Sequence, residues 1–310
     1  MSGPEIAEFA KLAAAVNNWG RWGSDDERGT LNLITADTVR AAAGLVRDGK
    51  RISLALPMSE AGPQLGFVKG RTNPIRTTIA QHELLGDDER GVRFNDDALS
   101  MGVQAATHWD ALAHVSYDGR MYNGYPPSII DASGATRLGA EKLGAIVSRG
   151  VLLDLAASAG VERLDGGHPL TPADLDRAEE LAGVRVGSGD IVLLRTGQIQ
   201  HLLAGDKLAY SISTAGPSMQ TVRWFRERDV AAVATDNLSF EVFPGERDDV
   251  VLPVHMLHIV EMGLVQGQNF DLEKLSADCA DDGRYSFLLS ATPEPVVHAA
   301  GAPVAPVAIK

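Results

Sequence analysis

Three short runs of apolar residues constrain the fold of this chain more than any other feature. They occupy residues 150–156, 190–195 and 230–235, and each is bounded by glycine or charged residues. Segments with helical periodicity separate them, at 172–183 and 219–228. Apolar runs of this length are typical of buried strands. Buried strands that alternate with helices predict an α/β or α+β domain.

Further elements fit a single domain that spans residues 1–310, since no linker or repeat divides the chain. Residues 1–35 are predicted to form an N-terminal helix, at 4–16, followed by an ordered arm. Thr35 is a good cap residue for a helix over 36–48. Additional strands are predicted over 51–56, 77–83, 92–94 and 285–291 because apolar or β-branched residues recur there.

Charge and composition exclude several classes of protein. The formal net charge is −13 and the pI is about 5.0, whereas nucleic acids and anionic membrane surfaces call for a basic face. The single cysteine, Cys279, excludes an internal disulfide framework and is expected to be a buried structural thiol. No apolar run is long enough for a transmembrane helix. A cytoplasmic location, without nucleic-acid or membrane partners, is therefore expected.

The side chains best suited to chemistry cluster within residues 104–114, Gln-Ala-Ala-Thr-His-Trp-Asp-Ala-Leu-Ala-His. On a strand, His108 and Asp110 would point the same way, and Gln104 has the same parity. His114 lies beyond that strand and could return over the same pocket on the following turn. Imidazole and carboxylate together suit zinc or manganese. A hydrogen-bonded core cluster is the alternative.

The same segment resembles the signature of the cyclase family, which includes kynurenine formamidase, isatin hydrolase and trans-dienelactone hydrolase. The family pattern is His-x-Gly-Thr-His-x-Asp-x-Pro-x-His. The chain matches it at Thr107, His108, Asp110 and His114, and departs from it at Gln104, Ala106 and Leu112. The following segment, 115–124, is similar to the longer-chain branch of the family, in which glutamine tends to stand at the first ligand position.

This resemblance implies a fold and a site. The expected fold is a single α/β domain with a mixed, β-barrel-like core flanked by helices (a swivelling β/β/α, cyclase-like fold), assembled as a homodimer or homotetramer. The metal ligands would be Gln104, His108, Asp110 and His255, with Gln268 near the position of the family's glutamate. His114 would act on protons. Two histidines favour zinc, whereas two glutamines and an aspartate favour manganese.

Two functions remain open at this point. The first is a metal-dependent hydrolase that acts on a small amide, cyclic amide or lactone through metal-activated water, with His114 as general base. The second is a diverged family member whose metal site is impaired and which binds a small molecule without hydrolysis, because Gln104 and Gln268 replace stronger ligands. Candidate substrate-binding residues are aromatic or lie after a strand: Trp22, Trp109, Tyr117, Tyr122 and Asp236.

Overall fold

A curled, half-barrel sheet of nine strands lies at the centre of the structure, a computed structural model that describes residues 4–87, 90–247 and 250–310. Helices flank this sheet, which confirms the predicted α/β class and mixed core.

The strands are β1 Arg51–Ser53, β2 Ile75–Leu84, β3 Arg93–Ser100, β4 His108–Asp110, β5 Ile130–Asp131, β6 Gly134–Ala135, β7 Val147–Asp154, β8 Pro169–Leu170, β9 Ile191–Arg195, β10 Gly216–Pro217, β11 Ala232–Thr235, β12 Val265–Gln268, β13 Ser286–Ser290, β14 Gly301–Pro303 and β15 Val307–Ile309. The α-helices are α1 Pro4–Val16, α2 Ala36–Ala43, α3 Leu155–Ser158, α4 Pro172–Ala182, α5 Ile199–Leu203, α6 Lys207–Ile212, α7 Val222–Glu227, α8 Pro253–His255 and α9 Glu273–Asp282. A π-helical segment, Met256–Met262, continues α8. Short 3₁₀ segments cover Gly29–Leu33, Tyr122–Gly124, Pro127–Ile129, Ala140–Lys142 and Met219–Thr221.

The sheet has the strand order β1-β15-β13-β7-β9-β11-β12-β4-β14. Its middle strands, β7, β9, β11 and β12, are parallel, and the other pairs are antiparallel. The three apolar runs of the sequence are β7, β9 and β11, and they are almost entirely buried. Parallel strands are covered on both faces, which explains why these runs are apolar throughout and do not alternate.

The side chains of β4 alternate between the apolar core on one face of the sheet and a polar cluster on the other face. Trp109 is fully buried in the apolar core on one face of the sheet, together with Ala232 and Ala234 of β11. His108 and Asp110 therefore point to the opposite face, because successive strand residues alternate. The neighbouring strand places Gln268 opposite His108. Polar side chains thus collect on one face at this end of the sheet.

Local signals predict the starts of α2 and α4 and the end of α4, but not the end of α2. Thr35 caps α2 through a capping box, as predicted, but the helix ends at Gly44 and not near residue 49. Thr171 caps α4, and Gly183 ends it in the left-handed conformation at φ 60°. Glycine adopts that conformation without a steric penalty, which explains the end of α4 at Gly183, whereas α2 ends earlier than the predicted Gly49, at Gly44 in the right-handed conformation with φ −67°.

The N-terminal arm is bonded to the body of the protein. The Asn18 backbone N–H donates to Glu261 O at 3.0 Å, and the Trp19 indole N–H donates to Val260 O at 2.7 Å. The Thr30 hydroxyl donates to Ala231 O at 2.8 Å. These bonds hold the arm against the π-helical segment and the start of β11. Within the described residues, no helix has the length and apolar character needed to span a membrane.

Candidate metal centre

The centre of the site is β4, which holds His108 and Asp110 on one face of the sheet. After Asp110 the chain turns, and the His114 backbone N–H donates to Ala111 O at 2.9 Å. This turn returns His114 over the strand, so that its Nε2 lies 3.6 Å from Asp110 Oδ1. His108 Nε2 lies at the same distance from that oxygen. The structure therefore brings the three predicted residues together around one carboxylate oxygen.

Two atoms of this cluster that can bind a metal ion are buried without a hydrogen-bond partner: His108 Nε2 and Asp110 Oδ1. His108 Nδ1 lies 2.7 Å from Ala106 O, a contact in which only the ring nitrogen can donate. The proton on Nδ1 leaves the Nε2 lone pair free and directed at the cluster. Burial of unpaired polar atoms costs free energy unless a further partner binds them. A cation between these atoms would supply that partner.

The spacing of the donors fits a divalent ion. Metal–ligand bonds of about 2.1 Å in a tetrahedral site place neighbouring donors about 3.4 Å apart. The 3.6 Å separation between His108 Nε2 and Asp110 Oδ1 is close to that value. In the part of the chain that the structure describes, however, no group of three or more His, Cys, Asp or Glu side chains is arranged closely enough to hold a metal ion as it stands. The side chains at the site are of types that bind cations, and the remaining ligands would have to move closer to complete the coordination of the ion.

The two glutamines of the site contact its ionisable side chains. Gln268 Nε2 donates to Asp110 Oδ2 at 2.7 Å and so turns Oδ1 towards the two imidazoles. Gln104 Nε2 lies 3.3 Å from His114 Nδ1. Gln104 is not on a strand, because β4 begins only at His108, so the parity argument for it was wrong. Both amides are placed to orient Asp110 and His114 through these contacts.

His255 approaches the cluster from the start of the helix formed by α8 and Met256–Met262. Its Nδ1 lies 2.5 Å from Glu241 Oε1. Glu241 also accepts hydrogen bonds from the backbone N–H groups of Val254 and His255, each at 3.0 Å. One buried carboxylate thus caps the helix and orients the imidazole, an arrangement often found behind metal-binding histidines. Sequence analysis missed Glu241, whose only signal was its position in the loop after β11.

Electrostatics in the cluster favour a charged Asp110 and a neutral His114. Burial would raise the pKa of the Asp110 carboxyl, but the neighbouring His114 and His108 outweigh it, so the pKa lies well below its ordinary value. Burial lowers the pKa of His114. Burial would also lower the pKa of His255, but the Glu241 carboxylate raises it above its ordinary value. Carboxylate and neutral imidazole are the forms that bind metal ions, so Asp110 is already in its binding form, whereas His255 would lose a proton on binding.

A cavity of about 490 Å³ opens beside the cluster and is lined by His114, His255 and Gln268. Apolar side chains cover much of its wall, and several are well exposed, including Leu65, Phe67, Val68, Ile212 and Phe243. Phe67 is 67% exposed, which is unusual for an aromatic side chain unless a ligand or partner covers it. The cavity has the size and the mixed apolar and polar lining of a small-molecule site.

Two predicted substrate-binding residues are part of the core. Trp109 is fully buried, and its indole N–H donates to Ala291 O at 2.8 Å. Tyr122 is also fully buried and donates its hydroxyl to Asp26 at 2.9 Å. Neither side chain lines the cavity. The prediction for both is corrected, because their rings pack in the interior.

The other three predicted substrate-binding residues lie at separate positions outside the cavity. Tyr117 donates its hydroxyl to Glu261, and Trp22 stacks with Arg21 at 4.8 Å from the ring centroid. Asp236 is fully buried, and its two oxygens accept hydrogen bonds from the backbone N–H groups of Thr196 and Gly197. Through these bonds Asp236 ties the end of β9 to the end of β11.

Comparison with known proteins agrees with this fold. The family model described as "Putative cyclase" matches residues 52–242. A crystal structure described as a novel cyclase has 36% sequence identity and a TM-score of 0.86, with 95% of this chain and 100% of that chain covered. Isatin hydrolase A from Ralstonia solanacearum has 20% identity and a TM-score of 0.63, covering 86% and 93% of the two chains. A structure described as a potential metal-dependent hydrolase with cyclase activity has 18% identity and a TM-score of 0.52, covering 84% and 98%. No curated protein matches the chain.

The sheet and its flanking helices define a cyclase-like fold, which the chain shares with isatin hydrolase and with other proteins described as metal-dependent hydrolases. The family match and the 36% identity over nearly the whole chain show more than the fold: the chain belongs to the cyclase family.

Proposed function

We propose that this protein is a metal-dependent hydrolase of a small amide, cyclic amide or lactone. The observation that carries the proposal is the pair of buried donor atoms without a partner, His108 Nε2 and Asp110 Oδ1, which face each other at 3.6 Å beside a cavity. The descriptions of related folds, an isatin hydrolase and a potential metal-dependent hydrolase, support the same reaction class.

In this proposal His108, Asp110 and His255 hold one divalent cation. A bound cation of this kind lowers the pKa of water to about 7 and polarises a carbonyl oxygen. Gln268 keeps the Asp110 carboxylate in place, and Glu241 keeps the His255 ring in place. A ligand set of two imidazoles and one carboxylate favours zinc over manganese.

His114 is the proposed proton carrier. It lines the cavity, and its Nε2 is directed towards Asp110 and therefore towards the proposed cation. Burial lowers its pKa, so the ring is neutral near pH 7 and able to accept a proton from water. For Nε2 to accept that proton, the neutral ring must carry its hydrogen on Nδ1, so the Gln104 amide group beside Nδ1 has to present its oxygen there. The same imidazole would then return the proton to the leaving nitrogen or oxygen.

A screen for hydrolysis tests the proposal directly. Aryl formamides, cyclic imides and aryl lactones would be incubated with protein loaded with Zn²⁺ or Mn²⁺, and acid release would be followed in a weakly buffered solution with a pH indicator. We expect turnover that disappears with a chelator and in His114→Ala. Binding of metal and of small ligands without turnover of any class would favour the alternative, a binding protein that has lost hydrolysis.

We also propose that the protein acts as a homodimer or homotetramer in the cytoplasm. The hairpin formed by β2 and β3 is not part of the main sheet, and its strands are mostly exposed. Ile79 is 64% exposed and Leu99 is 54% exposed. A two-stranded hairpin is marginally stable by itself, so packing against a second copy would account for its apolar surface. Sedimentation equilibrium would show a monomer if this is wrong.

A further inference from the structure

Arg71 is a cation in the cavity that the proposed reaction does not yet use. It is half-buried and lines the cavity together with His114, His255 and Gln268. Within residues 4–87, 90–247 and 250–310, no carboxylate forms an ion pair with Arg71.

The chain holds Arg71 in this position through close backbone packing. A Cβ atom at Gly102 would lie 2.8 Å from Arg71 Cγ and 3.3 Å from Arg71 Cα. The Gly102 backbone N–H also donates to Thr72 O at 3.1 Å. Only a residue without a side chain permits this approach, so Gly102 makes room for the Arg71 stem. The loop is therefore seated directly on the segment that leads into β4.

A second anchor fixes the other end of the same loop. The Asn73 side chain accepts a hydrogen bond from the Gln64 backbone N–H at 2.9 Å and donates to Gln64 O at 3.0 Å. The Gln64 side chain in turn donates to Ala105 O at 3.2 Å. These contacts brace the loop that carries the apolar wall residues Leu65 and Phe67. Arg71 and the apolar wall thus form one preorganised surface.

We propose that Arg71 binds a carboxylate, and that the cavity accepts a carboxylic acid with an apolar body. This inference rests on the proposed function, in which hydrolysis of an amide or lactone yields a carboxylate. An unpaired guanidinium beside an apolar wall matches a ligand with one anionic end and one apolar body. The acid group is either the one that hydrolysis forms or one that the substrate already carries.

Binding of two matched probes tests the inference without any need for turnover. Phenylacetate and its neutral analogue phenylacetamide would be titrated into the full-length protein with its metal, and again after chelation, by calorimetry. We expect tighter binding of phenylacetate in both states. In Arg71→Gln this preference should fall about 10- to 100-fold, the usual effect of losing a charged hydrogen bond, and Arg71→Lys should keep part of it.

Two further variants control for charge and for folding. Arg76→Gln removes an exposed arginine outside the cavity and should leave the preference unchanged. Gly102→Ala keeps the charge but displaces the Arg71 stem, and should reduce the preference. The inference is overturned if the wild type shows no preference for the acid, if Arg71→Gln retains it, or if Arg76→Gln loses it equally.

A second pair of probes separates the two sources of the carboxylate. N-formylphenylalanine carries an acid that its neutral analogue, N-formylphenethylamine, lacks. If Arg71 binds an acid of the substrate, Arg71→Gln should lower the kcat/KM ratio of this pair. If Arg71 binds only the acid formed by hydrolysis, Arg71→Gln should leave this kcat/KM ratio unchanged and should weaken inhibition by phenylacetate. Arg71-dependent binding without any hydrolysis would count against the proposed function alone.

Discussion

Glu241 gives the sharpest prediction of the structure, because one carboxylate performs two separable tasks. It orients the His255 ring through Nδ1 and accepts hydrogen bonds from the backbone N–H groups of Val254 and His255. Glu241→Gln preserves the shape of the side chain but removes its charge and one acceptor oxygen. We therefore expect two measurable effects in one variant, one on metal affinity and one on stability.

The magnitudes follow from the contacts. Loss of the charged partner behind a metal-binding histidine typically weakens metal binding by about 10- to 100-fold. The helix start loses one charge-assisted hydrogen bond, because an amide has only one acceptor oxygen. That loss should lower the free energy of unfolding by about 1–3 kcal/mol. Unfolding entropy of about 2.1 cal/mol/K per residue gives a 310-residue chain a Tm change of roughly 1.5 °C per kcal/mol, so a Tm decrease of about 2–5 °C is expected.

The assay is competition for Zn²⁺ against a chromophoric chelator, with thermal unfolding measured on the same metal-free samples. Glu246→Gln is the matched control: Glu246 lies in the same loop and accepts a hydrogen bond from the Met219 backbone N–H at 3.0 Å, but it does not contact His255. An unchanged Zn²⁺ dissociation constant in Glu241→Gln would refute the orienting role. Equal weakening in Glu246→Gln would mean that only net charge matters.

Three further predictions concern His114, Trp109 and His258. His114→Ala should keep its metal while kcat falls about 10²- to 10⁴-fold, measured on the best substrate from the screen; loss of metal would make His114 a ligand instead. Trp109→Phe should lower the free energy of unfolding by about 1–3 kcal/mol, because it loses the bond to Ala291 and packing volume, and should leave KM unchanged; a selective rise in KM would return Trp109 to the binding site. Burial lowers the pKa of His258 to about 3. As the pH falls below about 6.5, only the unfolded chain therefore takes up this proton. The free energy of unfolding then decreases by up to about 1.4 kcal/mol per pH unit, until about pH 3. Urea unfolding of metal-free His258→Gln should therefore show a shallower loss from pH 6 to pH 4, and an unchanged slope would contradict this.

Strand β4 shows which side-chain directions the periodicity of the sequence predicts correctly. An i, i+2 spacing predicted that His108 and Asp110 share a face, and the structure places them so. The same alternation puts Trp109 on the other face, so parity alone excludes Trp109 from the pocket that His108 enters. The prediction for Trp109 relied on its residue type, and residue type does not determine direction. Gln104 lies near the site because the chain turns before β4, and not because Gln104 shares a strand face with His108.

Glu241 and Arg71 could not be found in the same way. Glu241 reaches His255 across fourteen residues, through a loop whose path local propensity does not specify. Arg71 enters the cavity because its loop folds back onto Gly102. Such contacts between distant segments depend on tertiary packing, which one sequence does not encode in any short pattern. The buried strands were predictable because apolar runs report burial directly.

The metal content of purified, Zn²⁺-loaded protein tests the central claim most directly. Elemental analysis would compare the wild type with Asp110→Asn, which removes the charge and keeps the shape, and with Glu246→Gln as the control for charge. We expect about one ion per chain in the wild type and in Glu246→Gln, and almost none in Asp110→Asn, because the unpartnered Oδ1 is the oxygen that both imidazoles face. A wild type that retains no ion, or an Asp110→Asn variant that retains as much as the wild type, would contradict the account.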